Sequence, residues 1–303
     1  MKILIIEIGF LLLKLISLLP MFMFTIIGKL LGLIGYYCVK NRRNVGIKNL
    51  SLCFPNMSSQ EKHRIIKEHF KYLMIAALEY SLLFFASRAR IRKVVKLKNP
   101  QVIDKYYKKR SIILVSPHFI GLDLASSRMS QDYLGCSIFS QQKNSYITKR
   151  LKEARIRFMK DRGGEIFLRN EGLRPIIKKL RETKQIFYYL PDQDFGERDS
   201  LYVPFFAHPT CATVKVLPKL VQLTDAVVIP MAVYRVGNHY EVEFHTPWED
   251  YPTDSLYNDI VKINKFVEVA IEKNIEQYFW LHKRFKSQPD MPRGSIYKNL
   301  GKD

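Results

Sequence analysis

The stretch Ile112-Ile113-Leu114-Val115-Ser116-Pro117-His118-Phe119-Ile120-Gly121-Leu122-Asp123 decides how the chain is read. The compact apolar run at its start predicts a buried strand. Pro117 and Gly121 then interrupt regular structure. His118 and Asp123 stand five positions apart at the end of that strand. Open α/β sheets carry their chemistry at the carboxyl ends of strands. A neutral imidazole takes a proton from a hydroxyl, and a carboxylate on its other nitrogen fixes the tautomer and steadies the imidazolium. H-x4-D also arises readily by chance. On spacing alone an ordinary strand-to-helix turn, with His118 packed and Asp123 opening the next helix, is the simpler reading. The rest of the chain decides.

Downstream, strands and helices alternate. Strands are expected at 135–140, 165–168, 185–190, 226–234 and 240–245. Helices are expected at 146–160, 171–182, 211–223 and 256–278. Such alternation predicts an α/β fold, a mixed, mostly parallel sheet flanked by helices. Pro191-Asp192-Gln193-Asp194 ends the strand at 185–190, which puts these acids on the same edge as His118. Upstream, Ser58-Ser59-Gln60-Glu61 reads as a capping box opening a long helix to about Phe85. A basic stretch from Arg88 to Arg110 follows, with Asp104 its only acid. Such a run is usually a solvated face, but beside a membrane segment it is placed to meet anionic head groups.

That membrane segment is the start of the chain. Residues 3–38 are mostly apolar, with Glu7, Lys14 and Lys29 as their charges and Pro20 as an interruption. The first run approaches the length that spans a bilayer, and a second, interfacial helix after a kink at Pro20 is the alternative. Lys40, Arg42, Arg43 and Lys48 follow and hold the remaining chain on the cytoplasmic side. The expected division is an anchor at 1–40 and a cytoplasmic domain at 41–303.

Across the 303 residues, 49 Lys and Arg face 28 Asp and Glu, a net charge of +21. Such an excess calls for a polyanionic partner. Nucleic acid is set aside, because no recognition helix, RNP signature or zinc pattern accompanies the charge. Four scattered cysteines, Cys38, Cys53, Cys136 and Cys211, form no C-x-x-C pair. They indicate neither a disulfide framework nor a zinc site, and free buried thiols are the simplest account. No third ligand accompanies Asp192 and Asp194, so no metal is expected, and no cofactor.

Together these pieces resemble the bacterial lipid A biosynthesis acyltransferases, which add secondary acyl chains of the lauroyl or myristoyl type. The resemblance begins with the apolar anchor, Arg43-Asn44-Val45, Asn49-Leu50 and Cys53-Phe54-Pro55. It continues through His118–Asp123, Leu190–Asp194 and Val203-Pro204-Phe205-Phe206, and ends at Trp280–Lys286. Each piece alone is weak, and their order and spacing are specific.

The resemblance implies a glycerolipid-acyltransferase-like fold and transfer from a thioester, usually on acyl carrier protein, to a hydroxyl of a phosphorylated glycolipid. It implies His118 as general base and Asp123 as its orienting carboxylate, with Asp123 where the family often has glutamate. It places an arginine near the dyad, Arg155 being the best match, with Arg157 and Arg150 beside it, for phosphate binding or charge stabilisation. Phe119, Gly121, Asp192, Gln193 and Asp194 then support the site. Phe205 and Phe206 line an acyl channel or belong to the core, and Lys283 and Arg284 reach lipid phosphate with Trp280 at the interface. An acidic carrier protein, a phosphorylated glycolipid and an anionic inner membrane all suit the basic charge. A thioester is already activated, so no covalent nucleophile is required. The alternative acceptor is a lysophospholipid or glycerol phosphate.

Overall fold

A computed structural model of the chain describes residues 2–298 and 300, so the last residues of the expected cytoplasmic domain lie outside it. The N-terminal third holds α1 (Lys2–Ile16), α2 (Met21–Cys38), α3 (Lys40–Cys53), α4 (Ser59–Phe85), α5 (Arg88–Val94), β1 (Val95–Lys98) and α6 (Gln101–Asp104). Then come β2 (Ile112–Val115), α7 (Leu122–Met129), β3 (Gly135–Phe139), α8 (Ser145–Ile156), β4 (Glu165–Leu168), α9 (Arg174–Thr183) and β5 (Ile186–Tyr189). The chain continues through β6 (Ser200–Phe205), β7 (His208–Val214), α10 (Leu217–Thr224), β8 (Val227–Val236), β9 (His239–Phe244) and α11 (Leu256–Lys273).

Seven strands form one sheet in the order β1-β9-β8-β2-β5-β3-β4, and β6 pairs with β7 as a separate hairpin. The pairs of β2 with β5 and β8, of β3 with β4 and β5, and of β1 with β9 are parallel. Only the β8–β9 pair of that sheet is antiparallel. All four residues of β2 are buried. Ile112 and Leu114 pack into a core with α4, α5 and α7, while Ile113 and Val115 pack against α9, α10 and α11. Helices thus cover both faces of a mostly parallel sheet, as the alternating pattern predicts.

Ser58 caps α4, its side chain accepting the Glu61 N–H at 3.1 Å. Two expectations fail locally. The helix expected at 211–223 is instead the second strand of the β6–β7 hairpin followed by a shorter helix. Cys211, Ala212 and Thr213 are spent on the ladder, and Pro218 falls in the first turn of α10, where its missing N–H costs nothing. β1 lies unannounced inside the basic stretch, because its Val-Lys-Leu-Lys alternation carries charge on every second residue. Part of that stretch is answered by nearby acids: Arg92 meets Asp132, Lys98 meets Glu241, Lys105 meets Glu249 and Arg110 meets Asp225.

Among the described residues α2 alone is long and apolar enough to cross a bilayer. It does not stand apart from the domain. It runs antiparallel along α4, with Phe24 in one core beside Leu82 and Leu83. Toward its other end, Tyr36 Oη and His63 Nδ1 are hydrogen bonded at 2.8 Å. The contact requires bare backbone: a Cβ on Gly32 would lie 2.3 Å from Lys71 Cα, and one on Gly28 would lie 2.7 Å from Ile75 Cα. The outward faces of both helices are apolar, with Leu11, Leu12 and Leu15 of α1 and Phe22, Ile26, Leu30 and Ile34 of α2 exposed.

Candidate active site

β2 and β5 are neighbours in parallel register, Val115 beside Tyr189, so the loops leaving their carboxyl ends emerge together. The loop after β2 presents His118 and the loop after β5 presents Asp192. The Asp192 carboxylate accepts twice: the His118 backbone N–H donates to Oδ2 at 2.8 Å, and Nδ1 lies 2.6 Å from Oδ1. A carboxylate only accepts here, so Nδ1 carries a proton, and in the neutral ring the free lone pair is on Nε2. The Asp192 side chain is 1% exposed and that of His118 is 25% exposed. Burial pushes the Asp192 carboxyl up, but the imidazole, its two hydrogen bonds and the charge of Arg284 outweigh burial and hold it below the usual range.

Asp123 is engaged elsewhere. Arg155 grips it in a fork, Nε to Oδ1 at 2.7 Å and Nη2 to Oδ2 at 3.0 Å. The Tyr80 hydroxyl donates to Oδ2 and accepts from Arg155 Nη2 at 2.9 Å. The expected His118–Asp123 bond is therefore replaced by His118–Asp192. The reason is geometric: the turn through Gly121, at φ 78°, starts α7 and aims Asp123 from its first turn toward α4 and α8. Only glycine fits that turn, since a Cβ there would lie 2.1 Å from the Tyr240 ring.

A third segment closes the site. Phe279 N donates to the His118 carbonyl at 3.0 Å, and Ile120 N donates to the Gln277 carbonyl at 3.1 Å. Asn49 on α3 holds this segment, its Nδ2 2.7 Å from the carbonyls of both Trp280 and His282. Phe119 is buried edge-on against Tyr234 and Tyr278. Asp194 braces its own loop, accepting from Gly196 N at 2.9 Å and from Ser287 N at 2.7 Å. Its own N–H donates to His282 Nε2 at 3.2 Å. Burial, helped by Lys286 and Arg284, pushes His282 down to about 4, so it stays a neutral acceptor. Gln193 is half-buried on the same loop. Tyr80 and Gln277 carry no local sequence signal for these roles, whereas Asn49 lies in one of the stretches that carry the family resemblance.

Other expected residues lie elsewhere. The Arg155 charge is already matched by Asp123. Arg157 donates to the carbonyls of Leu82, Phe84 and Ala86, capping the end of α4. Arg150 stacks over Phe10 of α1 at 4.4 Å. Phe205 is buried beside Phe285, and Phe206 rests on Phe54, which makes them core. Trp280 is 1% exposed and its indole donates to the Ile275 carbonyl, so it marks no membrane interface. Arg284 is buried against Ala212 and Thr213, and Lys283 lies over Tyr297. Both follow from a C-terminal segment that threads into the core.

Three cysteines are buried as expected, and Cys38, ending α2, is exposed. Burial pushes the Cys136 thiol up to about 12 and the Cys211 thiol up to about 11, which disfavours a nucleophilic thiolate. Ser116 is buried and donates to the Pro117 carbonyl.

A strand-end imidazole backed by a buried carboxylate, on an open sheet with helices on both faces, is an arrangement suited to general-base chemistry. Residues 1–287 match the family model described as bacterial lipid A biosynthesis acyltransferase. The chain belongs to that family and is an acyl-transferring enzyme. It is 32% identical over 85% of its length to a Lipid A biosynthesis acyltransferase of Haemophilus influenzae, covering 82% of that relative. It is 30% identical over 86% of its length to the Lipid A biosynthesis lauroyltransferase of Escherichia coli, covering 84% of it. Among solved structures, the 1-acyl-sn-glycerophosphate acyltransferase of Thermotoga maritima aligns over 82% of this chain and 97% of its own, with TM-score 0.39 and 15% identity.

Proposed function

We propose that this chain transfers a fatty acyl group from acyl carrier protein to a hydroxyl of a phosphorylated lipid A precursor, with His118 as general base and Asp192 as its orienting carboxylate. The observation that carries the reading is the 2.6 Å contact from His118 Nδ1 to a buried carboxylate. Nε2 removes the hydroxyl proton as the oxygen attacks the thioester carbonyl. The tetrahedral oxyanion collapses, the C–S bond breaks, and the imidazolium returns the proton to the departing thiolate. Asp192 steadies the imidazolium between the two steps. The Asp123–Arg155–Tyr80 cluster ties the loop after β2 to α8 and α4 and so holds His118 in place. The net charge of +21 suits an acidic carrier protein, lipid phosphate and an anionic leaflet.

The membrane reading narrows to an interfacial one, with residues 1–40 lying on the cytoplasmic leaflet of the inner membrane. Crossing would carry the partner face of α4, with Lys67 over the Tyr37 ring and Lys71 paired to Glu68, into hydrocarbon. Lying flat buries only the exposed apolar faces of α1 and α2. Single spin labels at Phe22, Ile26, Leu30 and Ile34 are expected to report one shallow depth. A depth that peaks midway and falls toward both ends would establish a crossing helix.

The catalytic reading is tested with purified protein, defined acyl-carrier-protein thioesters and a phosphorylated lipid A precursor, followed by mass spectrometry. The expected product is the precursor plus one acyl chain. His118→Ala, still folded, is expected to lose at least about 100-fold in kcat. Wild-type turnover by that variant ends the base assignment. Acylation of lysophospholipid in place of the glycolipid ends the acceptor assignment.

A further inference from the structure

The loop after β5 gathers three cations around Phe195 and Gly196, a few residues beyond Asp192. The Arg169 guanidinium lies 3.9 Å from the Phe195 ring centroid. Arg293 packs against the bare Cα of Gly196, where a built Cβ would sit 3.6 Å from Nη2. Lys286 follows Phe285 out of the core, and its carbonyl accepts the Gly294 N–H, which brings the Arg293 turn back over it. The Lys286 ammonium is pushed down by burial, by Arg293 and by Arg169, with Asp194 opposing, so the three charges feel one another.

None of the three forms an ion pair among the described residues. Asp194, whose charge acts on Lys286, directs its carboxylate to Gly196 and Ser287 and makes no ion pair with it. The contrast with Arg155 is informative, since that arginine sits closer to the expected motif yet is fully matched by Asp123. Like charges held near one another with no ion pair among them repel, and an anion entering among them relieves that repulsion. Two guanidiniums and an ammonium suit a phosphate ester, whose oxygens take forked and point-charge donors together.

We propose that Arg169, Lys286 and Arg293 form a phosphate-ester subsite at the rim of the catalytic loop. The proposal rests on the reading of His118 as the reacting base, since proximity to the Asp192 loop is what gives the subsite its use. Two partners of the reaction bring such a group: the glycolipid acceptor and the phosphodiester arm of the acyl carrier. Either one, gripped here, sets how far the reacting atom reaches toward His118.

The test separates these sources and is independent of turnover. Binding to His118→Ala protein is measured for a phosphorylated lipid A precursor, its dephosphorylated counterpart, 4′-phosphopantetheine and pantetheine. Each is repeated in the Arg169→Gln, Lys286→Gln and Arg293→Gln backgrounds, with thermal melts to confirm folding. A lost charge-assisted contact is expected to weaken binding of one phosphorylated probe by about 10- to 100-fold. The matching probe without phosphate is expected to bind wild-type and substituted rims alike. Loss confined to the glycolipid pair assigns the subsite to the acceptor, and loss confined to the pantetheine pair assigns it to the donor. Folded variants that bind all four probes as the unsubstituted rim does overturn the proposal. Because no chemistry is read out, failure of the general-base mechanism leaves this result standing, and the reverse also holds.

Discussion

Two aspartates serve the loop after β2, and they are held in opposite ways. Asp192 is 1% exposed and spends both oxygens on a single residue, His118. Asp123 is 30% exposed and spends its oxygens on Arg155 and Tyr80, residues of two other helices. One carboxylate aims an imidazole, and the other fastens a turn. A buried acid with one partner sets a tautomer, because the hydrogen bond it accepts dictates which nitrogen is protonated. An acid in a guanidinium fork sets a distance between elements, because the fork fixes orientation as well as charge.

The comparison breaks most decisively at Asp192. Asp192→Asn keeps the shape but removes the charge that steadies the imidazolium, and its amide faces one of two N–H donors. A fall in kcat of about 100- to 10,000-fold is expected, with little change in KM. The downfield proton resonance of His118 Nδ1–H, followed by NMR with labelled histidine, should shift or vanish in the same variant. An unchanged resonance and near-normal kcat would return the orienting role to Asp123.

Asp123→Asn sharpens the contrast. The His118 Nδ1–H resonance is expected to persist, because its acceptor is untouched. Breaking a half-buried ion pair leaves Arg155 uncompensated and should lower stability by a few kcal/mol, about 3 if it behaves as a buried pair. Activity should fall by about 10- to 100-fold, the scale of a catalytic group displaced by about 1 Å. Arg155→Lys should fall on the same line, since a lysine lacks the fork. Loss of the His118 resonance in Asp123→Asn would show that Asp123, not Asp192, governs the imidazole.

The sequence makes one half of this comparison visible. Strand β2 and the breakers after it announce themselves within a dozen residues, and so does the Ser58 cap of α4. The acids after β5 are placed on the same edge by pattern alone. Which acid meets His118 is not local: Asp192 follows 74 residues later, and register between β2 and β5 brings it there. The basic segment after Trp280 misleads for a related reason. A run of Lys and Arg reads as surface, yet Arg284 is 3% exposed, because its hydrogen bonds to the Ala212 carbonyl and the Thr213 hydroxyl of β7 replace water. Periodicity reports which faces are apolar within one element. It carries no information on which polar group a distant element will satisfy.

The smallest effect expected is a pH dependence of the bracing behind Asp192. His282 accepts the Asp194 N–H as a neutral base, and His69 is buried with Nδ1 2.9 Å from the Glu276 carbonyl. Burial first, then Lys286 and Arg284, hold His282 at about 4, and burial holds His69 at about 4. The unfolded chain protonates both near 6.5, so between about 6.5 and 4 it binds more protons than the native state. Stability from these groups is full above that window and is lost as pH falls through it, by about 1.4 kcal/mol per unit for each histidine. Asp192 adds to the loss only at lower pH, because its carboxyl is held below the usual range. Denaturant melts from pH 7 to 4.5 should show this slope. His282→Gln, which keeps an acceptor but does not titrate, should remove its share of the slope, while His69 and the burial-lowered His208 and His245 supply the rest. An undiminished slope in His282→Gln would mean that this imidazole is charged in the native loop, and that Asp194 is braced by ion pairing rather than by a neutral acceptor.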